Sequence, residues 1–262
     1  MTDSKSNYTQ EWRMAAYLEA EWSDFLFGSS KIDDTSFDPL ISHVYPSFYQ
    51  EIARLTKQWL GEKEILPQKY LDVGGSTGRT MYEIYHCLSS LNELVLVEPS
   101  SKFCEWSRKL LLKSDDLVSI PVVCTPQKPD YAKSLNRPNP LQESQSKLIC
   151  IYEAFAESVP RPKEYFDLIT CLNVLDRHPN PKSLIQILHD LLTSSGMLVF
   201  ASPMDFDDIY TPDRSQWVSN LNSLFEDKLW NTVADTNVFY DFRYSNRQFT
   251  RFSSQVIAKQ KK

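Results

Sequence analysis

Two acids 26 residues apart, Asp72 and Glu98, frame the chemistry that this chain can perform. Asp72 sits in the apolar run Tyr70-Leu71-Asp72-Val73, which meets a turn of small residues, Gly74-Gly75-Ser76-Thr77-Gly78. Glu98 ends a second apolar run, Leu94-Val95-Leu96-Val97. A glycine-rich turn ahead of a helix brings backbone N–H groups and a helix N-terminus close to a ligand, and both favour a phosphate or carboxylate. An acid ending the next strand can accept both hydroxyls of a ribose. Turn and acid together specify a nucleoside cofactor.

The glycines decide between cofactors. A dinucleotide site wants G-x-G-x-x-G, and here those positions are Gly74, Ser76 and Arg79, so one of three fits. The stretch resembles instead the D-x-G-x-G-x-G loop of class I S-adenosylmethionine (SAM) methyltransferases. Asp72, Gly74 and Gly78 are in place, and Ser76 stands where the middle glycine is usual. The resemblance implies SAM as cofactor and an α/β, Rossmann-like seven-stranded sheet. It implies that Asp72, Gly74, Ser76 and Gly78 surround the methionine and ribose end, with Glu98 on the ribose hydroxyls. It further implies that the end of the third sheet strand, at Glu153 and Ala154, reads the adenine amino group.

The acceptor belongs at the end of the fourth strand, where the chain reads C-L-N-V-L-D-R-H-P from Cys171 to Pro179. Ligands of open α/β sheets lie beyond the carboxyl ends of the strands, so Asn173 to His178 should face the reacting methyl. Asn173 is expected to touch cofactor or acceptor. Asp176 and His178 are the catalytic candidates. Asp176 can hold the N–H of a nitrogen acceptor, whereas a hydroxyl acceptor needs a base, for which His178 is the one histidine in a suitable place. The C-L-N-V-L-D-R segment is similar to a motif of the seven-strand protein-histidine N-methyltransferases, which implies a nitrogen acceptor such as imidazole. Tyr240 and Tyr244 are candidates for holding the substrate. Two other readings stay open: a small-molecule O-methyltransferase using His178 as base, and a catalytically silent SAM-fold binding protein.

These residues need a scaffold, and the spacing supplies one. Trp12, Ala15, Ala16, Glu19 and Trp22 predict a first helix, and Phe48, Ile52, Leu55 and Trp59 a second. We expect residues 1–60 to form an N-terminal helical cap, on the sheet edge or over the acceptor side, ahead of a SAM-binding domain at 61–262. Met81, Ile84, Tyr85 and Leu88 predict the helix behind the glycine turn. Ser101–Leu112 reads as helical, and a proline-bearing insertion of few periodic signals is expected at about 113–147. Asn180 and Pro181 open another helix, with Gly196 expected to end it. Strands are expected at Leu148–Tyr152, Tyr165–Leu172 and Met197–Ala201, with a closing pair at Val238–Tyr244 and Ser253–Ala258.

Composition narrows the partners. The net charge is −6 across 262 residues and no lysine/arginine stripe appears, which argues against a duplex nucleic-acid partner. No apolar run approaches the roughly 18–20 residues that span a bilayer, so no membrane partner is expected. Five scattered cysteines suit a reducing, cytoplasmic compartment, and the four histidines lack metal-ligand spacing. The expected partner is a small-molecule or peptide acceptor.

Overall fold

The computed structural model describes residues 11–27, 47–113, 117–125, 128–136, 140–141, 147–245 and 248–262. Its centre is a seven-stranded sheet. Five strands run parallel: β1 (Lys69–Val73), β2 (Glu93–Val97), β5 (Leu148–Tyr152), β6 (Phe166–Leu172) and β7 (Leu192–Ser202). β9 (Gln248–Lys261) inserts antiparallel beside β7 and pairs antiparallel with β8 (Trp230–Ser245). The order is β5-β2-β1-β6-β7-β9-β8. The chain winds from β1 outward through β2 to β5, then returns to β6 on the other side of β1. That reversal opens a crevice at the carboxyl ends of β1 and β6.

Parallel strands are covered on both faces, hence their near-continuous apolar sequences. One face carries α1 (Glu11–Phe27), α2 (Phe48–Glu62), α3 (Arg79–Cys87) and α4 (Ser101–Leu111) over Leu94, Leu96, Leu168 and Val199. The other carries α5 (Pro181–Leu191), whose Leu184, Ile185, Leu188 and Leu191 meet Leu71, Val95, Ile169 and Phe200. Side-chain caps start the helices where polar residues precede apolar periods. Ser47 and Gln50 form a capping box on α2, and Asn180 accepts from the Ser183 N–H at 3.0 Å to start α5.

Three expectations need correction. The 113–147 insertion is more regular than its prolines suggested. β3 (Leu117–Thr125) and β4 (Lys128–Asn136) pair as an antiparallel hairpin against α1, with a register shift at Ile120/Pro121 where proline offers no N–H. Gly196 does not end α5. The helix stops at Leu191, Leu192 is already extended, and Gly196 lies inside β7 beside Ser195, which takes the left-handed φ of 66°. The closing pair β8 and β9 is also longer than the apolar alternation indicated, because its ladder continues through polar residues such as Asn231, Thr232 and Asp235.

Helix α1 is built into the core. Leu18 and Trp22 are fully buried, and the helix packs against β3, β4 and β8. Two buried arginines hold it. Arg243 on β8 donates to both carboxylate oxygens of Glu19. Arg79, at the start of α3, binds both oxygens of Asp24 at 2.6 Å and also pairs with Glu83 at 2.6 Å. Among the described residues no helix is long and apolar enough to cross a membrane.

Removing one partner of a buried pair strands the other charge. Arg243→Met should therefore lower unfolding free energy by about 3–5 kcal/mol. The Glu19→Leu, Arg243→Met double variant should recover most of that loss. Urea unfolding of the three proteins measures both.

Candidate active site

The crevice opens into a cavity of about 490 Å³. Asp72, Gly74 and Ser76 line it from β1 and the turn, Glu98 from the end of β2, and Glu153 and Ala154 from the end of β5. Asn173, Asp176 and His178 reach it from the end of β6, and Tyr240 and Tyr244 from β8. Gly78 is the one sequence-predicted site residue that does not line it.

Gly78 serves packing. It takes a φ of 94° at the N-cap of α3, and a Cβ there would lie 2.6 Å from Leu111 of α4. Gly74 is held the same way. Its φ is 67°, and an added Cβ would meet Val174 at 2.4 Å. Ser76 reaches the left-handed region with a side chain, at φ 48°. Its N–H donates to Glu98 Oε2 at 3.2 Å, and the Ser100 N–H donates to Oε1 at 2.9 Å. The turn and the acid that sequence places 22 residues apart are thus one hydrogen-bonded unit.

Asp72 ends a buried relay. The Tyr70 hydroxyl meets Thr170 Oγ1 at 2.6 Å, and Thr170 donates to Asp72 Oδ1 at 2.9 Å. Asp72 Oδ2 is buried with no hydrogen-bond partner, and the Ser76 hydroxyl lies beside the Glu21 carboxyl. Beside them stands a residue that sequence reasoning missed. Glu21 of α1 lines the cavity and accepts a hydrogen bond from Thr77, whose hydroxyl in turn accepts from Trp22 Nε1 at 2.8 Å. Burial pushes the carboxyls of Glu21, Asp72 and Glu98 up to about 7, and the Glu21 charge adds to the rise at Asp72 and Glu98.

At the β6 end, Asn173 turns the chain with a φ of 57° and accepts from Ser254 Oγ at 2.8 Å. Asp176 is buried, accepts from Ser202 Oγ at 3.1 Å and lies 3.6 Å from Arg177; burial raises its carboxyl above the usual range. Both ring nitrogens of His178 are occupied. Nδ1 accepts from the Asn180 N–H at 3.1 Å, which leaves Nε2 as the N–H that faces Glu157 at 3.1 Å. The aromatic wall is extensive. Tyr240 stacks on Phe252 at 4.9 Å, and Tyr17 of α1 meets Phe242 edge-on at 5.1 Å. Tyr210, under Arg177 at 5.0 Å, adds a ring from the segment between β7 and β8. At the β5 end, the Ala154 N–H already donates to Glu98 O at 3.2 Å, Glu153 is exposed, and Phe155 stands 58% exposed on the rim. Among the described residues no group of three His, Cys, Asp or Glu is arranged to hold a metal ion.

Residues 45–258 match the family described as methyltransferase domain. A search of the curated proteins finds no match. Solved structures that share the fold include two SAM-dependent methyltransferases. A SAM-dependent methyltransferase from Methanosarcina mazei superposes with a TM-score of 0.51 at 13% identity, over 77% of this chain and 96% of its own. One from Leishmania major does so with a TM-score of 0.50 at 13% identity, over 96% of this chain and 82% of its own.

The raised carboxyls dictate a pH dependence. The native protein keeps protons near pH 7 that the unfolded chain releases near pH 4, so stability falls as pH rises through that window. The melting temperature of the ligand-free protein should therefore drop between about pH 4 and pH 7. The Asp72→Asn variant should show a shallower drop.

Proposed function

Because the chain belongs to the methyltransferase-domain family, we propose that it transfers the methyl group of SAM to a nitrogen atom of a small molecule or peptide. SAM fits the turn end of the cavity by its chemistry. Glu98 offers two carboxylate oxygens to a ribose diol, and the unpartnered Asp72 Oδ2 suits a hydrogen-bond donor. The exposed ring of Phe155, with Ala154, suits the flat face of adenine. When bound, SAM supplies a methyl already activated on a sulfonium, so the protein's task is positioning and exclusion of water.

The observation that carries the nitrogen reading is the contrast between Asp176 and His178. His178 would have to give up a backbone N–H bond at Nδ1 to receive a proton from a hydroxyl acceptor. Asp176 is held by Ser202 on the cavity wall, where its carboxylate can accept an N–H from the acceptor. As the nitrogen gains positive charge, that carboxylate stabilises it. The rings of Tyr17 and Tyr240 line the same cavity, and aromatic rings attract a cation. A neutral imidazole, with an ordinary pKa of about 6.5, offers a lone pair without any base. The similarity of C-L-N-V-L-D-R to the protein-histidine N-methyltransferases supports imidazole among the candidate nitrogens.

Labelled SAM incubated with cell extract, fractionated into protein and small-molecule pools, identifies the acceptor and supplies the assay. Asp176→Asn should then cut turnover at least about tenfold while SAM affinity holds, the loss of one charge-assisted interaction. His178→Ala should have a much smaller effect. The reverse ranking, with activity rising through a pKa near about 6.5 and lost in His178→Ala, would support base-assisted O-methylation and reject the nitrogen reading.

A further inference from the structure

The proposed transfer leaves His178 unused, yet every polar group of this residue is engaged. Its N–H donates to Leu175 O at 3.2 Å, and its carbonyl accepts from Thr211 Oγ1 at 2.8 Å. Nδ1 accepts from the Asn180 N–H, so the ring is left with Nε2–H, 3.1 Å from Glu157 Oε1. That last bond spans the sheet. Glu157 follows β5 and His178 follows β6, and the order β5-β2-β1-β6 puts two strands between them.

Those two strands turn away from the bond. β1 and β2 lead into α3 and α4, which pack on one face of the sheet. The chain after β5 and after β6 turns to the other face, where Ala156 and Leu175 are buried in the same apolar core as α5. The crevice therefore runs between two walls. The glycine turn and Glu98 form one, and the Glu157–His178 bond ties the other. Both residues line the cavity, and they do so at its mouth. Among the described lining residues, the exposed ones lie around the start of α4 (Lys102), after β5 (Glu153, Phe155 and Glu157) and beside His178 (Pro179). The lining residues of α1 and β8 are buried or half-buried.

We propose that the Glu157–His178 bond is a strap across the mouth, which must part for the donor to enter and for the spent donor to leave. The inference rests on SAM being the donor. It gives His178 a gating role in place of a basic one and brings in Glu157, which the transfer chemistry does not use. Closing segments of this kind set exchange rates in many enzymes. Both partners are side chains of the protein, so the strap closes by the same bond with and without donor. Its loss then speeds entry and exit together, whereas a lost contact to the ligand itself acts mainly on exit.

Surface plasmon resonance of the immobilised whole protein with SAM and S-adenosylhomocysteine measures both rates. Glu157→Ala should raise kon and koff of each ligand at least about threefold, the loss of one hydrogen bond, and leave Kd within about twofold. Glu157→Gln keeps an oxygen that accepts from Nε2–H, so its rates should stay within about twofold of the wild type. Unchanged rates in Glu157→Ala, a rise in koff alone, or a Glu157→Gln variant as fast as Glu157→Ala overturns the strap. Should Glu157→Ala not fold, Glu157→Ser, whose hydroxyl is too short to reach His178, carries the same test with the same paired rise expected. A wild-type protein that binds neither ligand overturns the SAM reading itself.

Discussion

The structure turns on how buried charge is matched. An unpaired ion in a protein interior is costly, and losing one partner of a buried pair is worse than never having had it. On α1 this requirement is met twice, by Arg79 at Asp24 and by Arg243 at Glu19. One arginine comes from just after the glycine turn and the other from the far edge of the sheet. Together they fix α1 across the strand ends, and that placement fixes Tyr17 and Glu21 on the cavity wall.

The same economy shapes the turn. Side chains added at Gly74, Gly75 or Gly78 would strike Val174, Leu96 or Leu111, so these glycines let the turn nest among its own neighbours. Ser76 shows that the middle position tolerates a side chain, because its φ of 48° is open to a small residue and its hydroxyl has the Glu21 carboxyl beside it. The turn, Glu98 and Ser100 form one hydrogen-bonded frame.

Much of this was legible in the sequence. The strands β1, β2, β5 and β6 read as apolar runs because both of their faces are covered. The caps at Ser47 and Asn180 follow local rules that need no tertiary contact. Glu98 was legible as a cavity residue because it ends an apolar strand at the crevice. Other features depend on contacts that no window of sequence contains. Glu21 reads like any solvated helix acid until Thr77 and Trp22 are brought beside it. Glu19 carried a hint, since it falls in the apolar stripe of α1, but its partner Arg243 lies 224 residues away. The hairpin of β3 and β4 was obscured by its prolines, and the end of α5 was misread because Gly196 suited a helix terminus locally. The bond from Asn180 N–H to His178 Nδ1 is likewise a contact that only the structure shows.

The carboxyls at the turn end of the cavity, Glu21, Asp72 and Glu98, form an acidic pocket suited to a cationic ligand such as SAM. Calorimetry of SAM binding in buffers of different protonation enthalpy, near about pH 6.5, tests it directly. Burial holds Glu21, Asp72 and Glu98 near about 7, so a fraction of these carboxyls is protonated in the ligand-free protein at that pH. A cation seated among them favours their ionised forms, and binding should release protons to the buffer. Binding with no proton exchange, or with net uptake, would contradict the account.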